Sequence, residues 1–139
     1  MTDERHSINP ETIHNPFGNY SHGIFNPKSG LLVTSGQLGI YKNGKIPKSL
    51  LEQTNLCFEN IQAILKDVEL DLTHVLRVSA FLTKRDHFSE YMGVRDSFFA
   101  DIPIKPASTL LIVSGFTKPE FLVEVEDIGC GSQNFSWSL

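Results

Sequence analysis

The sequence predicts an α+β fold, a mixed β-sheet with two helices packed on one of its faces. Three observations carry this reading. Across residues 47–68 the apolar side chains Leu50, Leu51, Cys57, Phe58, Ile61, Ile64, Leu65 and Val68 recur at helical spacing, with Lys48, Glu52, Gln53, Glu59, Gln62 and Lys66 largely elsewhere. Phe88, Tyr91, Met92, Arg95, Phe98 and Phe99 repeat the i, i+3, i+4 rule in a shorter second segment, Arg95 being its odd member. On either side of these segments the period falls to two, so the order of elements is strand, strand, helix, strand, helix, strand, strand.

Taken in order, residues 1–16 carry Asn, Pro, His and Thr without periodicity and read as a mobile N-terminal arm. Residues 17–128 read as the core of a single domain and 129–139 as its C-terminal tail, in which Phe135 and Trp137 are either loose or packed on another subunit. A first strand is expected in 18–25, ending at the turn signal Asn26-Pro27-Lys28-Ser29-Gly30, and a short apolar strand at Leu31–Thr34. Glycine in Ser35-Gly36-Gln37 lets another chain or a ligand approach the backbone closely, and Asn43-Gly44 is a strong tight-turn signal.

Residues 73–83 read as a strand with Val75, Arg77, Ser79 and Phe81 on one face, and Leu76, Val78, Ala80 and Leu82 on the other, under the helices. The second helix is expected to start near Arg85, with Asp86 capping its free amides, and the prolines of Ile102-Pro103-Ile104-Lys105-Pro106 end it. Residues 106–126 then read as a hairpin. In its second strand Phe121, Val123 and Val125 alternate with Leu122, Glu124 and Glu126, so two carboxylates recur on one side. A carboxylate drawn into a cavity needs a partner or a raised pKa, which makes this stretch the place to look for chemistry.

The bulk properties narrow the classes. A chain of 139 residues with net charge −4 is long enough to bury a core and gives no electrostatic reason for a nucleic-acid partner. Cys57 and Cys130 stand in no CxxC spacing and read as reduced thiols of a cytoplasmic protein. No apolar stretch approaches the length of a membrane span. His6, His14, His74 and His87 are scattered at no ligand spacing, so neither a metal nor a cofactor is expected. The sheet face away from the helices needs cover, which predicts oligomerisation.

These residues resemble the RidA family, also called YjgF/YER057c/UK114, over almost all of 16–128. Gly18-Asn19-Tyr20-Ser21-His22-Gly23 is similar to the family's GPYSxA/G, Leu32-Val33-Thr34-Ser35-Gly36-Gln37 to its VSGQ, and Asn60-Ile61-Gln62-Ala63-Ile64-Leu65 to its NLxAxL. Val78-Ser79-Ala80-Phe81-Leu82-Thr83 resembles its TxFLTD strand, Phe98-Phe99 its helix end, Pro106-Ala107-Ser108-Thr109 its PARST, and Val123-Glu124-Val125-Glu126 its VEIEA strand. The resemblance implies a chorismate-mutase-like fold and a homotrimer with three clefts between subunits. It also implies hydrolysis of reactive enamines and imines, such as 2-aminoacrylate, to a keto acid and ammonia. In that chemistry an arginine clamps the substrate carboxylate, and backbone atoms and a glutamate position water.

The chain departs from the family pattern inside the implied site. Ser108 stands where the family has the arginine of PARS, Met92 where many deaminases have asparagine, and Leu110 where they have cysteine. A hydroxyl supplies neither the charge nor the fork of a guanidinium. The lining that survives is Tyr20, Ser35, Gly36 and Glu124, with Glu124 the expected catalytic acid/base and the others, with Ser108, Met92 and Leu110, expected to bind substrate. His22 reads as structural or as an acid/base group, and Arg95 as a partner of a nearby acid or as an anion anchor in the missing arginine's stead. Three functions stay open: an imine or enamine hydrolase whose substrate needs no carboxylate, a non-catalytic metabolite-binding or chaperone-like trimer, and, weakest, an endoribonuclease.

Overall fold

The computed structural model describes residues 4–131. Its strands are β1 (His6–Ile8), β2 (Gly23–Asn26), β3 (Leu31–Thr34), β4 (Gln37–Leu38), β5 (Val75–Leu82), β6 (Ala107–Ile112) and β7 (Val123–Cys130), and its helices α1 (Leu50–Asp67) and α2 (Phe88–Phe98). The strands form one sheet in the order β1-β2-β3-β7-β5-β6, with β4 also paired to β7. All pairings are antiparallel except that of β5 with β6, which run parallel. The sheet is therefore mixed, and both helices pack against the face carrying Val78, Val123 and Val125.

Helix α1 forms where its apolar period and its cap agree. Ser49 Oγ accepts a hydrogen bond from the Glu52 backbone N–H at 3.1 Å. Cys57, Phe58, Ile61 and Ile64 are fully buried beneath it, each large apolar side chain contributing about 1.5–3 kcal/mol on burial. Two expectations fail on this helix. Leu51 is 46% exposed, and Gln53, expected to face solvent, is fully buried. Its amide bonds three backbone groups, accepting from Leu122 N–H and donating to the carbonyls of Glu120 and Pro47, all at 2.9 Å. A polar side chain satisfied in this way is stable inside a core.

The expected hairpin over 106–126 does not form, because β5 lies between β6 and β7. The chain leaves β5, crosses through α2 and returns as the parallel neighbour β6, so β6's pairing partner is β5 rather than the strand that follows it. In β5 a bulge between Val75 and Arg77 resets the alternation. Val75, Val78, Ala80 and Leu82 are buried while Leu76, expected under the helices, is 53% exposed. A 3₁₀ turn at Arg85–His87 precedes α2, and no side chain caps that turn or the helix, so Asp86 does not have the expected role.

The N-terminal segment is also more ordered than expected. His6–Ile8 pair with Gly23–Phe25 as an edge strand, and Ile13 is buried in the core. The turn at 26–30 forms as expected, with Asn26 Oδ1 accepting from the Lys28 and Ser29 amides and Gly30 at φ +78°. The expected first strand starts only at Gly23, and residues 18–20 form a bend. Phe135 and Trp137 lie outside the described residues.

Among the described residues the sheet has one covered and one open face. Leu31, Val33, Leu111 and Ile128, each at least 37% exposed, stand on the open side with Arg77 and Glu126. Strand β6 is a sheet edge, and most of its residues are exposed.

Candidate active site

Glu124 sits in β7 opposite Leu38 of β4 and Phe81 of β5, on the open face. Its carboxyl is pressed against the backbone of Gly36. A Cβ built on Gly36 would stand 2.6 Å from the Glu124 Cδ, so only glycine leaves room for the acid there. Partial burial, and then the charge of Glu126, raise the Glu124 pKa above the ordinary carboxylate value. Cys57 lies behind this wall, donating from Sγ to the Gln37 carbonyl at 3.1 Å. Burial pushes its thiol far up, so it acts as an inert apolar group.

Tyr20 is 46% exposed and lies beside the same wall. Its hydroxyl accepts from the Phe17 N–H at 3.2 Å, and the two rings border, with Gly36, His22 and Asn60, a small recess of about 10 Å³. Ser35 is held by two bonds, its Oγ donating to the Ser21 carbonyl at 2.6 Å and its N–H to the His22 carbonyl at 2.8 Å. Its hydroxyl proton is thereby committed to the protein, which makes Ser35 a brace for Gly36.

The second group of expected residues lies elsewhere. Ser108 of β6 pairs with Val78, which pairs with Asp127 of β7, and this row lies on the helix-covered side, since Val78 and Asp127 are buried there. Leu110 is two residues on, on the same side, and both it and Met92 of α2 pack partly buried against the core. Side-chain alternation along β7 therefore puts Glu124 on one face of the sheet and Ser108 on the other. Tyr20, Ser35, Gly36 and Glu124 lie about one stretch of the sheet; Ser108 and Leu110 share the other face of β6, and Met92 stands on α2 against the core.

Sequence reasoning missed two polar clusters. Beneath α2, Asp127 is 3% exposed and neither carboxylate oxygen has a hydrogen-bond partner. Burial pushes its pKa up to about 8, partly opposed by the Arg95 guanidinium. Arg95 is itself 8% exposed, bonded through Nη1 to Asp96 at 3.3 Å and placed 5.5 Å from the Phe99 ring centroid. Of its two expected roles, pairing with a nearby acid is the one formed. The only hint of Asp127 was its position at the end of the β7 alternation, on the same parity as Val123 and Val125.

The second cluster centres on His22, which is 7% exposed. Both of its ring nitrogens are engaged, Nε2 with the His14 carbonyl at 2.6 Å and Nδ1 with Gln37 Nε2 at 3.1 Å. It is a structural histidine rather than one facing a ligand. Burial lowers its pKa despite the His14 carbonyl, so the neutral form is favoured. No group of His, Cys, Asp and Glu among the described residues is arranged to hold a metal ion. No helix among them is long and apolar enough to cross a membrane.

A family model described as Endoribonuclease L-PSP matches residues 12–130. The chain belongs to this family, that of the RidA, YjgF and RutC proteins. Among its relatives is a RutC family protein of Pyrococcus abyssi, 32% identical over 115 residues covering 81% of this chain and 87% of that one. Another, from Aquifex aeolicus, is 32% identical over 93 residues covering 66% and 73%. TdcF of Escherichia coli, whose name carries a provisional assignment as a reactive intermediate deaminase, is 28% identical over 83 residues, 59% of this chain and 63% of its own length. A crystal structure of E. coli TdcF with bound serine superposes with a TM-score of 0.84 at 25% identity, covering 91% of this chain and 99% of the other. The Rid protein YyfA from Yersinia pestis gives 0.84 at 26%, covering 91% and 98%. The fold is thus the chorismate-mutase-like fold of the RidA family.

Proposed function

We propose that this RidA family member assembles as a cytoplasmic homotrimer and, in clefts shared by neighbouring subunits, hydrolyses a reactive imine or enamine to a carbonyl compound and ammonia. One observation carries the reading: Glu124 is a partly desolvated carboxyl seated against the Gly36 backbone on an otherwise uncovered sheet face. A carboxylate with a raised pKa accepts a proton from water at neutral pH more readily than an ordinary one. Water adds to the imine carbon as Glu124 takes its proton. The same acid returns that proton to nitrogen, giving a carbinolamine. Glu124 then moves the hydroxyl proton to the nitrogen as the C–N bond breaks and the C=O bond forms, releasing a ketone or aldehyde and NH₃. An enamine enters the same course once its β-carbon is protonated to the imine. Gly36 brings its backbone amide beside the reacting oxygen, and Tyr20 supplies an aromatic wall.

The opposed directions of Glu124 and Ser108 support a shared cleft. A site containing both needs one subunit's Glu124 group and its neighbour's Ser108, Leu110 and Met92. The exposed Leu31, Val33, Leu111 and Ile128 and the free edge of β6 supply surface for such an assembly. Because Ser108 brings no positive charge, the preferred substrate is an imine without an obligatory carboxylate, not 2-aminoacrylate. The net charge of −4 weighs against the nuclease activity that the family description names.

The test generates imines from a panel of amines and amino acids with oxidases and follows their lifetime by semicarbazide trapping. Reduced trapping with the wild-type protein, restored in Glu124→Gln with assembly intact, supports catalysis. No acceleration with any imine, carboxylated or not, removes the hydrolase reading and leaves a trimer that only binds metabolites or protein partners.

A further inference from the structure

We infer that His22 is a positioning residue for the wall on which Glu124 rests, acting through the side chain of Gln37. The inference rests on the reading of Glu124 as the acid/base of the cleft. Because Nε2 of His22 lies 2.6 Å from a carbonyl oxygen, it carries the ring proton and donates. Nδ1 then offers a lone pair and accepts from Gln37 Nε2 at 3.1 Å. That bond sets the orientation of the Gln37 amide, whose NH₂ also donates to the Ser35 carbonyl at 3.2 Å and whose Oε1 accepts from Asn60 Nδ2 at 3.3 Å.

Gln37 is 1% exposed and bonds back onto its own segment. Its side chain ties Ser35, its backbone carbonyl accepts a hydrogen bond from the Cys57 thiol, and Gly36 is clamped between the two. Glu124 touches that glycine. The chain His14 carbonyl, His22, Gln37, Asn60 thus runs behind the wall, every member in one orientation. Its side chains border the recess of about 10 Å³ beside Gly36, room for no more than a water.

Protonating His22 places a second N–H where Gln37 already points its own. The Gln37 amide must then turn over. Turning aims Nε2 at the Asn60 NH₂, another donor, and takes the hydrogen bond from Ser35. The segment that seats Glu124 loosens. Charged and titratable groups surround this arrangement on three sides: His14 on the N-terminal segment, Cys57 on α1 and Glu124 on β7 beyond Gly36. Burial, and more weakly the nearby His14 ring, disfavour a charge on His22 while Cys57 stays protonated, so the neutral form of His22 already prevails at the ordinary histidine pKa and is lost only below it.

The test is a pH titration of the ¹⁵N-labelled full chain by NMR, alongside imine hydrolysis where a substrate has been found. His22→Asn puts an acceptor, Oδ1, near the place of Nδ1 but does not titrate, and His22→Gln serves if that variant folds poorly. The wild type is expected to show His22 as the Nε2–H tautomer at pH 8. Its Gly36 and Gln37 signals should shift together with a midpoint below 6.5, and that shift should vanish in the variant while the separate Glu124 titration remains. The kcat should fall at least tenfold through the same midpoint, with KM changing less than threefold. An Nδ1–H tautomer, or a Gly36 shift that persists unchanged in the variants, overturns the inference. Failure to hydrolyse any imine refutes the catalytic reading instead, and leaves the NMR result to decide the positioning.

Discussion

Replacing Gly36 with alanine separates the seat of Glu124 from the stability of the fold. The new Cβ falls 2.6 Å from the Glu124 Cδ, whereas carbon atoms in contact settle at about 3.5–4.0 Å, so one of them has to move by about 1 Å. The acid moves, since it is the far end of a flexible side chain, and Gly36 is not among the glycines with positive φ. The stability cost is therefore about 1 kcal/mol, at the low end for overpacking, or a fall of about 4 °C in Tm. Displacing a reacting group by about 1 Å costs catalysis about a hundredfold. The assay pairs thermal unfolding with semicarbazide-trapped imine turnover. Gly39→Ala is the contrast, because its Cβ would meet the Gln53 backbone Cα at 2.6 Å and has no flexible group to displace. It should cost about 3 kcal/mol. A Gly36→Ala protein that keeps full turnover would refute the claim that Glu124 works from this seat.

Three further outcomes follow from the same geometry. Ser108→Arg should bind a small carboxylate such as serine at least tenfold more tightly by calorimetry, since a bidentate charged pair replaces a neutral hydroxyl; unchanged affinity would place residue 108 outside the cleft. Asp127 has a folded-state pKa raised to about 8, so its proton is held more tightly in the native state than in the unfolded chain. Its contribution is therefore complete below the ordinary carboxylate range and is lost as pH rises towards about 8, with a slope of at most about 1.4 kcal/mol per pH unit. Asp127→Asn should flatten that slope in urea unfolding between pH 5 and pH 8. Leu111→Asp, at a position 53% exposed in a single chain, should leave the fold intact by circular dichroism but weaken assembly at least tenfold by light scattering.

Much of the fold is legible in the residues because period and turn chemistry agree. The α1 stripe apart from Leu51, the turn at 26–30 and the alternation of Val123, Glu124, Val125 and Glu126 form as the pattern dictates. What fails is partnership over distance. Alternation says which side of β7 carries Glu124, but not that β5 would come between β6 and β7, so nothing local tells that Ser108 faces the opposite side. A single bulge turns Leu76 outward against its period. Gln53 reads as a polar residue off the apolar stripe and Asn60 only as the start of a motif, yet each is buried and bonded to a group far along the chain, Gln53 to Leu122 and Asn60 to Gln37. The Glu124 group was readable from its motifs, while the His22 and Asp127 clusters depend on contacts that no spacing encodes.

Sedimentation equilibrium at micromolar protein tests the shared cleft most directly, because one chain holds Glu124 and Ser108 on opposite faces of its sheet. A mass three times the chain's 15.6 kDa, reduced towards a single chain by Leu111→Asp, is the result expected. A wild-type protein that sediments as a lone 15.6 kDa chain while still binding or turning over its ligand would contradict it.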